Sequence, residues 1–407
     1  MKRLLFVPGF TADTYNSIQR RYVALTRHLR GRLDLTWCLP PDDPDEWIWA
    51  DPRRRGQTPD IVAALSEIAA TVVRLPIHRG SPWNRARRFR HLLAKGDFAG
   101  VYAAFAHRFP PLYAGKRAEV TTIWDAAWNS LEPPHRLVRA KAMFYRRYIE
   151  RFVAATPLIA DSLRAHGIGE ARIFVRWSAI DTHDLPRLAQ EAARRSVLAD
   201  LALPADARIV LQLTSYLPSK NTAMAVRVMN RLKDRVPALY WLLAGEDGPE
   251  TSAVRELAQK LDVRDRMVML GHRRDVWSLM ASADAVAMTS RQDGLPNALL
   301  EAMASRRPIV STRAQGPEYL VRDGENGFLV NGDDDLSFAE CLVRLLENRS
   351  LAESMGRSGY QRLERDFTMQ RWCERLGDHL CECLEGEAER GTRPMENARF
   401  AHCGEGA

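Results

Sequence analysis

Asp293 and Glu301 lie eight residues apart in the stretch Ser290-Arg-Gln-Asp-Gly-Leu-Pro-Asn-Ala-Leu-Leu-Glu301-Ala-Met. A strand-like run, Ala285–Thr289, leads into this stretch. Ala298–Met303 are strong helix formers, and Pro296 suits the first helical position. Asp293 therefore falls in a loop and Glu301 in the second turn of the helix that follows. At about 1.5 Å rise per residue the two carboxylates fall within roughly 12 Å of each other. Free amides at the start of such a helix form a seat for a diphosphate. One carboxylate is then placed to accept from sugar hydroxyls and the other from ribose hydroxyls. Taken alone, the same residues also fit an Asp-Gly turn followed by a solvated glutamate, and composition by itself favours that plainer reading.

The elements that must position these residues recur in both halves of the chain. Short β-rich runs appear at Ile209–Leu213, Tyr240–Ala244, Met267–Leu270, Ala285–Thr289 and Pro308–Ser311. Amphipathic helical patterns such as Thr222–Arg235 and Ser252–Leu261 separate them. In the first half, Arg3–Val7, Val72–Leu75, Gly100–Ala104 and Val120–Trp124 alternate with helical patterns, and a further strand-like piece spans Arg172–Trp177. Strands alternating with helices imply parallel sheets covered on both faces, with ligands in a crevice at the carboxyl ends of the strands. A chain of 407 residues exceeds one ordinary core. The prediction is an α/β protein of two doubly wound, Rossmann-like domains facing each other across a cleft. Their spans are 1–185 and 186–370, with a linker between about 181 and 206. A last helix over 371–385 is expected to pack back toward the N-terminal domain, followed by a disordered tail over 386–407.

Composition narrows the function classes. Hydrophobic residues make up 46% and charged residues 27%, and no run approaches the roughly 18 apolar residues of a membrane span. At the N-terminus a basic pair precedes only four apolar residues, fewer than the about 7–15 of a secretory leader, so this stretch reads as a buried strand. A cytoplasmic protein is expected. Cys38, Cys341, Cys373, Cys381, Cys383 and Cys403 show no metal-ligand spacing and read as reduced structural thiols. Residues 1–180 carry 29 Lys and Arg against 16 Asp and Glu, so the net charge of +8 comes from this half. The excess concentrates in Arg53–Arg55, Arg85–Arg90 and Arg136–Arg151, the last interleaving basic and apolar residues at helical spacing. Two readings stand: attraction to an anionic membrane surface or a phosphate-bearing acceptor, or a solvated helix with its apolar side in the core. No recognition module for nucleic acid accompanies the charge.

A resemblance then adds to the reading. Gly294-Leu295-Pro296-Asn297 flanked by carboxylates eight apart resembles the Glu-x7-Glu motif of the group 1 glycosyltransferases, a retaining family of GT-B fold. Further segments are similar in the same order: Ser215-Tyr-Leu-Pro-Ser-Lys220-Asn221, Gly245-Glu-Asp-Gly248-Pro249, Gly271-His-Arg273-Arg-Asp275-Val276, Gln315–Glu318 and Asp323–Val330. The likeness covers about residues 206–375. It implies transfer of a sugar from a nucleotide-diphosphate-sugar donor to a glycan or lipid-linked acceptor hydroxyl, as in cell-surface polysaccharide or glycoconjugate synthesis, with no cofactor and no metal. The resemblance assigns Lys220 to the donor diphosphate, Glu301 to the ribose and Asp293 to the transferred sugar. It places Ser215, Gly245, Arg273 and the Gly294–Asn297 amides around the donor.

On the N-terminal side the resemblance is weaker. Thr121–Asp125 sits where the family has a His-Asp pair, with Trp124 in place of the histidine. Asp125 and His107 join the expected catalytic set, and Gly9, Phe10 and Trp124 are expected on the acceptor side. Two further departures are Asp293 in place of a glutamate and Ser215 in place of a common arginine. They motivate a rival reading as a non-catalytic sugar-nucleotide-binding relative. A nucleotide-sugar epimerase is a weaker third.

Overall fold

The computed structural model describes residues 1–8, 17–43, 45, 58–76, 81–104, 120–126, 145–182 and 190–385. Two sheets, every strand pair parallel, organise them. The first holds β1 (Lys2–Pro8), β2 (Leu33–Leu39), β3 (Val72–Arg74), β4 (Gly100–Ala104), β5 (Thr121–Ala126), β6 (Arg151–Ala154) and β7 (Ile173–Val175). Their order is β3-β2-β1-β4-β5-β6-β7. The second holds β8 (Arg208–Leu213), β9 (Leu239–Ala244), β10 (Met267–Gly271), β11 (Ala285–Met288), β12 (Ile309–Thr312) and β13 (Gly327–Val330), in the order β10-β9-β8-β11-β12-β13. Central strands read as continuous apolar runs because helices cover both faces: Leu4 to Val7 in β1 and Ile209 to Leu211 in β8 are fully buried. This is the GT-B arrangement that the sequence resemblance implies.

Each sheet reverses its strand order once, between β1 and β4 and between β8 and β11. Chains leaving the paired strands at such a point turn in opposite directions, and a crevice opens between their loops. The loops after β8 and β11 carry Lys220 and Asp293. Those after β1 and β4 lie outside the described residues, and with them Gly9, Phe10 and His107.

The chain crosses between the domains twice. Ile180 N–H donates to the Phe367 carbonyl (3.0 Å), and Met369 N–H donates to the Ile180 carbonyl (3.1 Å), so the two crossings brace each other. The helix Met369–Leu384 then lies on the N-terminal sheet, where Trp372, Leu376 and Leu380 join Leu4, Tyr22 and Leu25 in one core. Gly377 lets it come close: a Cβ there would stand 3.2 Å from Leu29 Cδ2.

Three expectations about local structure are corrected. The stretch read as a polar, helical linker narrows: the helix Gln190–Asp200 within it packs on the C-terminal domain, whose expected span began at 186. Arg194 binds Asp284 (3.1 Å) and the Ser282 carbonyl (2.6 Å), tying that helix to the edge of β11. The helical reading of Arg136–Arg151 fails at its end, because Phe152 and Val153 are buried in β6 between β5 and β7. Residues 127–144 are outside the described set. Finally, the helix of the carboxylate pair starts at Asn297, with Pro296 as its N-cap residue.

Candidate active site

The loop after β8 runs through a short 3-10 turn, Pro218–Lys220, into the helix Thr222–Leu232. Asn221 makes the junction in the left-handed region (φ 49°), a conformation asparagine tolerates better than most residues. Its side-chain amide donates to Asp333 Oδ1, which fixes the turn. Thr289 Oγ1, at the end of β11, donates to the Lys220 carbonyl (3.1 Å). Arg291 N–H donates to the Ser219 carbonyl (2.8 Å). The two switch-point loops are thus stitched together through their backbones.

Glycines permit the close approach. Gly245, after β9, has φ 155°, and any Cβ there would run into the Thr214 carbonyl. A Cβ on Gly248 would come within 2.8 Å of the Ser215 and Tyr216 carbonyls. Gly316 donates its N–H to the Asp293 carbonyl (2.9 Å) and has no side chain to strike the Gly294 backbone. The Gln315–Glu318 segment therefore supports the Asp293–Pro296 loop from behind.

This scaffold brings Lys220 and Asp293 into direct contact: Nζ lies 2.5 Å from Oδ2, with both side chains partly buried. Glu301 sits in the second turn of the helix that follows, half-buried, and its carboxylate receives no hydrogen bond from any described group. Burial pushes its carboxyl above the usual range, and the nearby Arg21 guanidinium partly offsets this. Arg21 comes from the N-terminal helix Ser17–His28, and its Nη2 donates to Asn297 Oδ1 (3.0 Å). Ser178 Oγ donates to the same oxygen (3.2 Å). The first residue of the Asn297–Ala304 helix is thereby held by groups from the opposite domain.

Three expected site residues are placed elsewhere. Asp125 is fully buried at the end of β5, where its Oδ2 accepts from Tyr22 OH (2.6 Å), Tyr102 OH (2.7 Å) and Arg176 Nε (2.7 Å). Among the described residues it is a buried anion whose Oδ2 takes all three donors, while its Oδ1 has no hydrogen-bond partner. Trp124, 3% exposed, packs against Tyr145 and Phe152 inside the N-terminal core, because side chains alternate along β5 and its neighbour Asp125 takes the other face. It offers no acceptor surface. Arg273 pairs with Asp275 (2.7 Å) and Asp200 (2.9 Å), and no described contact joins it to Lys220 or Asp293. Ser215 and Gly245 stand on the β8 and β9 loops beside Lys220, Leu295 is half-buried on the C-terminal core, and Pro296 is buried.

Arg21, Ser178, Arg176 and the two tyrosines were not legible as site residues. Arg20-Arg21-Tyr22 reads like any amphipathic helix, and nothing local marks which arginine turns inward.

Residues 194–362 match the family model described as glycosyl transferases group 1. This segment is similar to the group 1 glycosyltransferases. Proteins similar to this chain include two lipopolysaccharide core biosynthesis glycosyltransferases of Rhizobium meliloti. LpsE is 32% identical over 42% of this chain, and LpsD is 26% identical over 70%. The chain spans about half the length of the first (49%) and three quarters of the second (75%). Among solved structures, a glycosyltransferase from Rickettsia africae superposes with a TM-score of 0.75, covering 95% of this chain and 99% of its own at 15% identity. Anabaena HepE, in complex with UDP and glucose, superposes at 0.71, covering 93% and 99% at 17% identity. These likenesses extend the GT-B fold across both domains, well beyond the residues that match the glycosyltransferase family.

Proposed function

We propose that this protein transfers a sugar from a nucleotide-diphosphate-sugar donor to an acceptor hydroxyl, with retention of anomeric configuration. The observation that carries the reading is the Lys220–Asp293 pair at the strand-order reversal, beside the helix whose Glu301 carboxylate has no partner among the described residues. In this reading Lys220 binds the diphosphate, Asp293 contacts the transferred sugar and Glu301 accepts from the ribose hydroxyls. The Gly294–Asn297 amides seat phosphate oxygens at the helix start. The bond from the anomeric carbon to the phosphate oxygen breaks as the acceptor oxygen bonds to the same face of that carbon. The acceptor proton passes to the departing phosphate oxygen, and a nucleoside diphosphate leaves. No protein nucleophile takes part, so positioning and stabilisation of the leaving group supply the rate.

The acceptor belongs in this proposal to a glycan or lipid intermediate near an anionic surface. The helix Pro82–Lys95 supports this: it buries Ala86, Phe89 and Leu93 and presents Arg87, Arg88 and Arg90 to solvent, with Trp83 81% exposed at its start. Among the described residues no helix is long and apolar enough to cross a membrane, which leaves surface attachment as the mode proposed.

Thermal unfolding against a panel of nucleoside diphosphates and nucleotide sugars tests the donor. A ligand bound by the folded state alone stabilises it by about 2.7 kcal/mol at a hundredfold excess over Kd. Product from the stabilising nucleotide sugar should keep the donor's anomeric configuration by NMR. No stabilisation by any nucleotide sinks the reading.

A second prediction concerns Glu301→Gln. Hydrogen bonds to a charged group are worth about 1.5–3 kcal/mol, so donor affinity should fall roughly 10- to 100-fold. The ligand-free variant should behave oppositely. A carboxyl held above its usual range contributes stability at low pH that is lost as pH rises through the unfolded and then the folded value. The glutamine variant should therefore melt above wild type at neutral pH and lose that advantage near pH 4. Undiminished donor affinity would remove the ribose role.

A further inference from the structure

We propose that Arg21 is a second cation of the donor diphosphate site, supplied by the N-terminal domain. This rests on the donor reading above and adds to it a residue that neither motif nor likeness assigns.

Arg21 is 7% exposed. Among the described residues its hydrogen-bond partner is Asn297 Oδ1, an uncharged oxygen already shared with Ser178, and its Nε has no acceptor. Among the described residues no carboxylate lies within ion-pair distance of it; Glu301 acts on it from further away, and Arg176, already paired with Asp125, repels it. Burial pulls the guanidinium down to about 10, which leaves it charged at neutral pH. A buried cation without a paired anion is costly, and proteins tolerate one where a ligand completes the pair.

The charge count on the opposite wall points the same way. Lys220 is neutralised by Asp293 at 2.5 Å, and Ser215 brings no charge to the β8 loop. The described part of the C-terminal wall therefore presents helix amides, an ion pair of no net charge and the Glu301 carboxylate to a strongly anionic diphosphate. Arg21 reaches the first residue of that helix and supplies the missing positive charge in a forked geometry suited to phosphate oxygens. A diphosphate gripped by Lys220 from one domain and Arg21 from the other also couples donor occupancy to domain closure.

The test compares wild type, Arg21→Met and Arg21→Lys as full chains. The probes are inorganic pyrophosphate, then UDP, GDP and ADP, each beside its own nucleoside, followed by calorimetry and thermal unfolding. Arg21→Met should lose 10- to 100-fold in affinity for the diphosphate that wild type binds, and its response to pyrophosphate, while nucleoside affinity stays within about twofold. Arg21→Lys should recover part of the loss. Without ligand, Arg21→Met should melt no lower than wild type, because an uncompensated buried cation is gone. Unchanged diphosphate binding in Arg21→Met overturns the inference and leaves the donor reading standing. A lower melting point, or equal loss of nucleoside and diphosphate, makes Arg21 an interdomain latch and also overturns it. If wild type binds no nucleotide of the panel, the donor reading falls and this inference with it.

Discussion

Replacing Lys220 with Met is expected to lower kcat about 10²- to 10³-fold with the donor identified by thermal unfolding, while the protein stays folded. The magnitude is that of removing one preorganised group from a developing negative charge, about 2.7–4 kcal/mol. It should exceed the change in donor KM, because charge on the leaving phosphate grows as the glycosidic bond breaks. The free structure shows why the effect will not be purely subtractive. Lys220 neutralises Asp293, whose side chain is only 14% exposed, so the methionine variant leaves a half-buried carboxylate facing the site. Adding Asp293→Asn to Lys220→Met should therefore restore part of the donor affinity without restoring kcat. Lys220→Arg keeps the charge but not the compact point geometry, and is expected to recover only a fraction of the rate. Single-turnover kinetics on the four proteins separates these effects. A methionine variant within tenfold of wild-type kcat would place the leaving-group cation elsewhere.

What could be read from the sequence was what repeats with a short period or sits within a few residues. The β8 to β12 strands and the Lys220 and Asp293 loops fall on continuous apolar runs and turn residues, so their order and positions were legible. β2 was not anticipated, although Leu33, Leu35, Trp37 and Leu39 alternate, because Cys38 and Thr36 are buried too and blur the pattern. β6 was absorbed into a basic helical pattern, since four residues carry too little period to compete with their neighbours. The helix Gln190–Asp200 looked like a linker because Arg194 and Arg195 dominate its composition; Arg194 is anchored on Asp284, 90 positions away. Long-range partnership also explains the site. Asp125 was placed among the catalytic residues because it stands where the resembled family has a His-Asp pair, and only the tertiary structure shows three donors converging on it from β4, the first helix and the residue after β7. The same holds for Arg21, whose partner is 276 residues away.

Replacing Asp125 with Ala is expected to cost about 3–5 kcal/mol of stability, the range for breaking a buried ion pair by removing one partner. At roughly 2–4 °C per kcal/mol for a domain of this size, the melting point should fall on the order of 10 °C. Arg176 is 4% exposed and relies on this carboxylate, and Tyr22 and Tyr102 donate to the same oxygen. Burial raises both phenols above their ordinary value, so they remain protonated donors through the working pH range. The loss should not stay within β5. Arg176 Nη1 donates to the Trp177 carbonyl (3.1 Å), Trp372 Nε1 reaches the same oxygen (3.2 Å), and Ser178 holds Asn297 across the domain boundary. Asp125 thus anchors the segment by which one domain addresses the other. Its alanine variant should lose melting temperature first and donor affinity second, through a loosened Ser178–Asn297 contact. Replacing both partners, Asp125→Leu with Arg176→Met, should recover part of the stability, since no charge is orphaned although the Tyr22 and Tyr102 hydroxyls lose their common acceptor. A catalytic aspartate would give the reverse: an unchanged melting point, a collapsed kcat, and no recovery in the double variant.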